Sequence, residues 1–211
     1  MNHHNCHKIF ELLAANNPLP KTELNYATPF QLLIAAVFSA QSTDIGVNRI
    51  TQQLFLDAPT PKAMLALGNE KLTQAIHSLG LYRNKAKNAI GICQALIEKY
   101  NGKVPSSREA LESLPGVGRK TANIILNIIF EQPVIAVDTH VFRVANRTKI
   151  ACGSQVSVVE DSLTKAVPLQ FRQYAHHWLV LHGRYICKAK KPNCKTCIIA
   201  KYCEYPDKNV S

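Results

Sequence analysis

No apolar run in this sequence reaches the roughly twenty residues that a membrane-spanning helix needs. The longest, from Phe30 to Ala40, is interrupted by Gln31 and Ser39. The opening residues, Met-Asn-His-His-Asn-Cys-His, lack the basic start and apolar core of an export signal, so a cytoplasmic protein without membrane contact is expected. Alternating apolar and polar positions are missing too, which excludes a strand-rich fold. There is no internal repeat, no low-complexity tract and no long flexible linker. Acidic residues are scarce. Asp and Glu total 14 against 25 Lys and Arg, giving a formal charge of +11 and a pI near 9.4. An excess of that size favours a polyanionic partner through counterion release. No block of consecutive like charges exists, so folding must gather the basic side chains.

Seven cysteines, an odd number in a chain with no export signal, argue against a disulfide framework. Cys6, Cys93 and Cys152 are scattered and read as small buried apolar residues. The other four, Cys187, Cys194, Cys197 and Cys203, follow the spacing C-x6-C-x2-C-x5-C. Four thiolates so close together imply a metal centre, and both zinc and iron–sulfur clusters accept four thiolates. Structural zinc sites usually pair two short knuckles, whereas only Cys194–Cys197 is a knuckle here. The His-rich start (His3, His4, Cys6, His7) reads as a frayed terminus rather than a metal site.

What remains is helical. Thr28-Pro29-Phe30-Gln31 supplies an N-cap, a first-turn proline and a capping-box glutamine. Thr60-Pro61 opens another helix, and Ser106-Ser107-Arg108-Glu109 and Ser157-Val158-Val159-Glu160 repeat the capping-box spacing. Ala122–Phe130 is apolar on nearly every side, as a central helix should be. Val134–Val137 is expected to run extended through a buried loop.

The most informative stretch is Leu114-Pro115-Gly116-Val117-Gly118-Arg119-Lys120-Thr121-Ala122. A helix from Ser107, a turn with two glycines one residue apart, and a helix restarting at Arg119 make a helix–hairpin–helix unit. The backbone N–H groups of Gly116, Val117 and Gly118 and the new helix start form a cradle for a phosphate, with Arg119 beside it. A lysine in the first helical turn sits where positive charge is disfavoured, so Lys120 is expected to have a lowered pKa and to act as a nucleophile. A plain phosphate-binding role is the alternative. Asp138, eighteen residues later, reads equally as the N-cap of a helix over Thr139–Arg147 or as a carboxylate with a chemical role.

The segment 114–122, followed by Val137-Asp138-Thr139-His140-Val141, resembles the signature of the helix–hairpin–helix DNA glycosylases. With Lys120 and the terminal cysteines present, the chain is similar to their bifunctional branch, the endonuclease III family of glycosylase/AP lyases. The resemblance extends from about Phe10 to Tyr205 and takes in Ser39–Asp44, Gly80-Leu81-Tyr82 and His182–Cys187. It implies an all-α, two-lobed fold with a C-terminal iron–sulfur cluster loop over 187–203. A six-helix barrel would span 22–132, and the second domain would join 1–21 to 133–211.

By the same resemblance, a monomer acting in the cytoplasm at the nucleoid would excise oxidised or ring-saturated pyrimidines from double-stranded DNA. It would then cleave 3′ to the abasic site by β-elimination. Lys120 would be the Schiff-base nucleophile and Asp138 its partner carboxylate. Gln41 and Leu81 would fill the gap left by a flipped nucleotide. Asp44 and His140 would line the pocket. The four cysteines would hold a [4Fe-4S] cluster within a basic loop in which Arg184 and Lys191 touch DNA. Two rival readings are a monofunctional glycosylase of the mismatch adenine type and a non-catalytic helix–hairpin–helix DNA-binding protein. The first differs at the lysine and carries a further C-terminal domain.

Overall fold

Asn2 accepts a hydrogen bond from the Asn5 N–H at 2.8 Å, and the chain is helical from the next residue. The computed structural model describes residues 1–209; positions 210 and 211, at the end of the expected second domain, lie outside the described residues. Helix α1 (His3–Asn16) therefore occupies the segment expected to fray. Cys6, Ile9, Phe10 and Leu13 repeat at helical spacing and are buried, and that apolar face outweighs the polar histidines around it.

Two compact units follow from the packing, one formed by residues 22–130 and the other joining residues 1–21 to the chain from Glu131 onward. Among the described residues every regular element is helical and no strand occurs. The first unit contains α2 (Pro29–Phe38), α3 (Asp44–Asp57), α4 (Pro61–Leu67), α5 (Asn69–Ala75), α6 (Tyr82–Tyr100), α7 (Arg108–Glu112) and α8 (Arg119–Phe130). Thr28 caps α2, its hydroxyl accepting from the Gln31 N–H at 3.2 Å, and Thr60 caps α4 in the same way. Gln31 reaches back one residue further than a capping box requires, accepting from the Ala27 N–H at 2.7 Å.

Helix α2 is the centre of this unit, with Phe30 to Phe38 all buried, and it packs on α3, α6 and α8. From Ala122 to Phe130, α8 presents no exposed residue either. The cap of α7 falls one residue later than the capping-box spacing indicates: Ser107, not Ser106, accepts from the Ala110 N–H at 3.2 Å. Short helices tolerate such a slip because either serine can enter with extended backbone.

The second unit adds α9 (Thr139–Thr148), α10 (Val156–Ala166), a 3-10 turn (Leu169–Phe171) and α11 (Arg172–Tyr185) to α1. Helix α11 packs along α9 and touches α1, and its Trp178 lies among Phe10, Phe171 and Tyr174. Residues 131–138 carry no regular structure, and Ile135, Ala136 and Val137 are buried as expected for the extended loop. Two further expectations are corrected. Ser157 lies inside the first turn of α10, whose N-cap is Gln155 with no side-chain cap bond. Cys152 is exposed, not buried.

Candidate active site and metal centre

The hairpin is held from beneath by α6. Val117 N–H donates to the Leu114 carbonyl at 3.1 Å, closing a turn with Pro115 and Gly116 at its corners. Gly116 has φ of 73°, which that turn position demands and which disfavours any residue with a Cβ. A Cβ there would also lie 2.3 Å from Asn88 Nδ2 on α6, so both backbone and space exclude a side chain. Leu114 and Val117 point inward and are buried. Gly118 differs: nothing lies within 4 Å of a Cβ built on it, so its backbone is uncovered.

Helix α8 starts at once, its first backbone bond running from the Ala122 N–H to the Gly118 carbonyl at 2.9 Å. Arg119 and Lys120 are exposed in a first turn that contains no acidic residue. Charge, dipole and open backbone thus favour an anion at the same spot.

Gln41 and Leu81 are exposed residues with left-handed backbone, φ 54° and 58°, at the tips of two turns in this unit. The turns touch, for a Cβ on Gly80 would fall 3.3 Å from the Gln41 carbonyl oxygen. Asp44 occupies the first position of α3, behind the Thr43 cap. A cavity of about 400 Å³ in the same unit, lined by Phe30, Pro61, Val104 and Phe130 among others, includes none of the predicted site residues.

Asp138 and His140 belong to the other unit. Asp138 is the N-cap of α9, and Oδ1 alone accepts both cap bonds, from the His140 and Val141 N–H groups at 2.8 Å each. Oδ2 keeps its lone pairs, so the structural use of this carboxylate leaves a second oxygen for another. The preceding loop is fixed from α11, where His176 Nδ1 donates to the Ala136 carbonyl at 2.7 Å.

Arg143, which carries no local sequence signal, ties the start of α9 to the end of α11. It donates to the carbonyls of Gly183 at 2.8 Å and Cys187 at 2.9 Å, and to His140 Nδ1 at 3.2 Å. A guanidinium can only donate, so Nδ1 is the accepting nitrogen of His140 in this contact. The helices approach closely here, as a Cβ on Gly183 would lie 2.8 Å from the His140 Cβ.

Cys187, Cys194, Cys197 and Cys203 line one pocket together with His182, Ile199 and their neighbours. Their loop is built from short turns, including Cys197 N–H to the Cys194 carbonyl at 3.3 Å and Cys203 N–H to the Ile199 carbonyl at 3.1 Å. Arg147 on α9 clasps it, donating to the carbonyls of Lys188 and Ala189 at 2.7 and 2.9 Å and to Cys187 Sγ at 3.5 Å. Its guanidinium also lies 4.9 Å from the Tyr205 ring centre.

Burial, with the three other sulfurs adding to it, pushes the Cys197 thiol up to about 11. His182 is pushed down to about 4 by burial, so the neutral ring faces Cys197 Sγ through Nε2 at 3.6 Å. Four soft donors around one pocket, two of which (Cys197 and Cys203) burial disfavours as anions, suit a metal centre. Among the described residues no three His, Cys, Asp or Glu side chains form a ready-made site for a single ion. Lys191, exposed with φ 49°, lies within the cysteine loop, and Arg184 on α11 precedes it in sequence.

The family model described as the HhH-GPD superfamily of base excision DNA repair proteins matches residues 34–169. Endonuclease III of Escherichia coli K12 and that of Haemophilus influenzae are each 55% identical over 201 residues, covering 95% of both chains. A solved structure of a trapped endonuclease III–DNA covalent intermediate, an estranged-adenine complex, superposes with a TM-score of 0.91 at 43% identity, covering 97% of this chain and 96% of that one. A thermostable thymine-DNA glycosylase shares the fold at 21% identity with a TM-score of 0.85.

Proposed function

The chain belongs to the HhH-GPD superfamily of base excision DNA repair proteins, and on that premise we propose how its residues carry out the repair reaction. It is a DNA glycosylase with AP lyase activity, acting on duplex DNA that contains damaged bases. The observation that carries the assignment of roles is the exposed Lys120 in the first turn of α8, directly after the uncovered backbone of Gly118. There a phosphate can approach the N–H groups while the lysine reaches the sugar beside it.

In this reading Lys120 attacks C1′ of an extruded nucleotide as a neutral amine, and the damaged base departs. Ring opening gives a Schiff base. The iminium acidifies the C2′ proton, and its removal expels the 3′-phosphate by β-elimination. Asp138 contributes the oxygen its cap leaves unused, stabilising positive charge at C1′ and holding the proton that must leave the lysine. Gly116, Val117, Gly118 and Arg119 grip the phosphate. Gln41 and Leu81, side by side on exposed turns, occupy the space the nucleotide vacates. Asp44 and His140 line the pocket, and Arg184 and Lys191 hold the backbone further along.

The four cysteines would hold a [4Fe-4S] cluster, which an all-thiolate donor set around one pocket suits. Bound there, it would supply organisation of the basic loop. Base excision and β-elimination are not redox reactions, so no step passes through it.

The substrate class is oxidised or ring-saturated pyrimidines. A panel of duplexes carrying oxidised, alkylated and mismatched bases tests it by strand cleavage. Cleavage confined to oxidised pyrimidines and abasic sites is expected; release of alkylated or mismatched bases without strand cleavage contradicts it.

A further inference from the structure

Lys85 is a lysine where lysines are seldom found. It lies on α6 one turn after Leu81, is only 4% exposed, and burial holds its ammonium below the ordinary lysine range. The one side-chain hydrogen bond of Lys85 among the described residues runs from Nζ to the Ser42 hydroxyl at 2.8 Å. A hydroxyl offers no compensating charge. A position that needed only filling would be better served by an uncharged side chain.

What Lys85 joins gives the position its meaning. Ser42 directly follows Gln41, and the Lys85 backbone N–H donates to the Leu81 carbonyl at 3.0 Å. Both Gln41 and Leu81 are held left-handed, a conformation that persists in such residues only when the surroundings enforce it. Leu81 is 55% exposed, so packing covers less than half of it. The close pass of Gly80 along the Gln41 carbonyl sets the two turns against each other. The Lys85–Ser42 bond is a side-chain tie between them, 43 residues apart in sequence.

We propose that Lys85 is a positioning residue for duplex invasion: its bond to Ser42 locks the Gln41 and Leu81 turns into one rigid wedge. The inference rests on the reading of Gln41 and Leu81 as gap-filling residues. Inserting two side chains into a base stack costs unstacking energy, and a pre-set pair avoids ordering each tip at the moment of insertion. The role assigned to Lys85 lies in the opening step and not in the chemistry at the sugar.

The test uses the full-length, cluster-loaded protein with Lys85→Met, Ser42→Ala, the double variant, and Leu81→Ala and Gln41→Ala as wedge controls. Two readouts are taken: single-turnover excision of an oxidised pyrimidine from duplex DNA, and fluorescence of 2-aminopurine placed opposite the lesion site, which rises when that base loses its stacking. Lys85→Met should slow excision about tenfold and suppress the fluorescence rise in proportion, with affinity for undamaged duplex within about twofold of wild type. Ser42→Ala, which removes the acceptor and little else, should act in the same direction, and the double variant should be no slower than Lys85→Met. Ser42→Thr, which keeps a hydroxyl, should restore the fluorescence rise.

If Leu81→Ala and Gln41→Ala leave both readouts at wild-type values, the wedge reading itself fails, and this proposal with it. If they reduce both while Lys85→Met and Ser42→Ala reduce neither, or if the Lys85 and Ser42 effects simply multiply, the wedge stands and the role of Lys85 is refuted.

Discussion

Arg143 on α9 donates through Nε to the main-chain carbonyl of Cys187, the first cysteine of the C-terminal loop, at 2.9 Å. The same guanidinium bonds His140, which lies two residues from the carboxylate assigned to catalysis. The cysteine loop and the start of α9 are thereby mechanically joined through one side chain. Replacing Arg143 by Met should cost about 2–4 kcal/mol, since it leaves the Gly183 and Cys187 carbonyls without their charged donor. Thermal unfolding would show it, and the cysteine loop should become more susceptible to proteolysis than the 22–130 unit.

The two glycines of the hairpin should respond differently to alanine. Gly116→Ala meets both a left-handed backbone and Asn88, and should destabilise the protein by about 2–3 kcal/mol. Gly118→Ala meets nothing, and its Tm should stay near wild type while the new methyl covers backbone that a phosphate must approach. Its affinity for duplex DNA should fall about tenfold. Equal loss of stability in both variants would contradict this division.

Asp138 separates structure from chemistry at one side chain. Asn keeps an oxygen able to accept both cap bonds, so Asp138→Asn should fold with a Tm close to wild type and yet lose most excision activity. Asp138→Ala should lose activity and also about 1 kcal/mol of stability with the cap. Retained activity in the Asn variant would show that the carboxylate serves α9 alone.

His177 supplies a pH dependence. Burial, with neighbouring His176 adding to it, lowers its pKa from 6.5 to about 3, and its Nδ1 has no hydrogen-bond partner among the described residues. The unfolded chain therefore binds a proton at a pH where the folded one refuses it. Stability from this group is complete above about pH 6.5 and is lost as pH falls towards 3, at about 1.4 kcal/mol per pH unit. Denaturant midpoints between pH 7 and 5 should fall for wild type, and His177→Gln should flatten the slope.

The cysteine loop should depend on its metal. Purified protein should be brown and contain iron and sulfide, and removal of the metal should release residues 187–203 while residues 22–130 stay folded, because the two units bury separate apolar residues. Colourless protein with stoichiometric zinc would overturn the cluster assignment.

Much of this was legible in local sequence. The caps at Thr28 and Thr60 and the hairpin each lie within a few residues, where backbone chemistry decides, and the four cysteines fall within seventeen positions. In α1 the polar histidines mask the buried face of Cys6, Ile9, Phe10 and Leu13, so the sequence points to a frayed end where a helix stands. Ser157 failed as a cap because α10 begins before it, at Val156. Asn88 beneath Gly116, Arg143 against Cys187 and Lys85 against Ser42 left no local signal at all. Each joins residues between 28 and 44 positions apart, and a single sequence records such pairs only once folding has brought them together.

The central claim is a covalent bond from Lys120 to the sugar. Borohydride added to the protein on a duplex with one abasic site should reduce the Schiff base to a stable protein–DNA adduct. Lys120→Ala, which still binds that duplex, should give none. An adduct of equal yield in the variant, or none in a wild-type protein bound to the DNA, would contradict it.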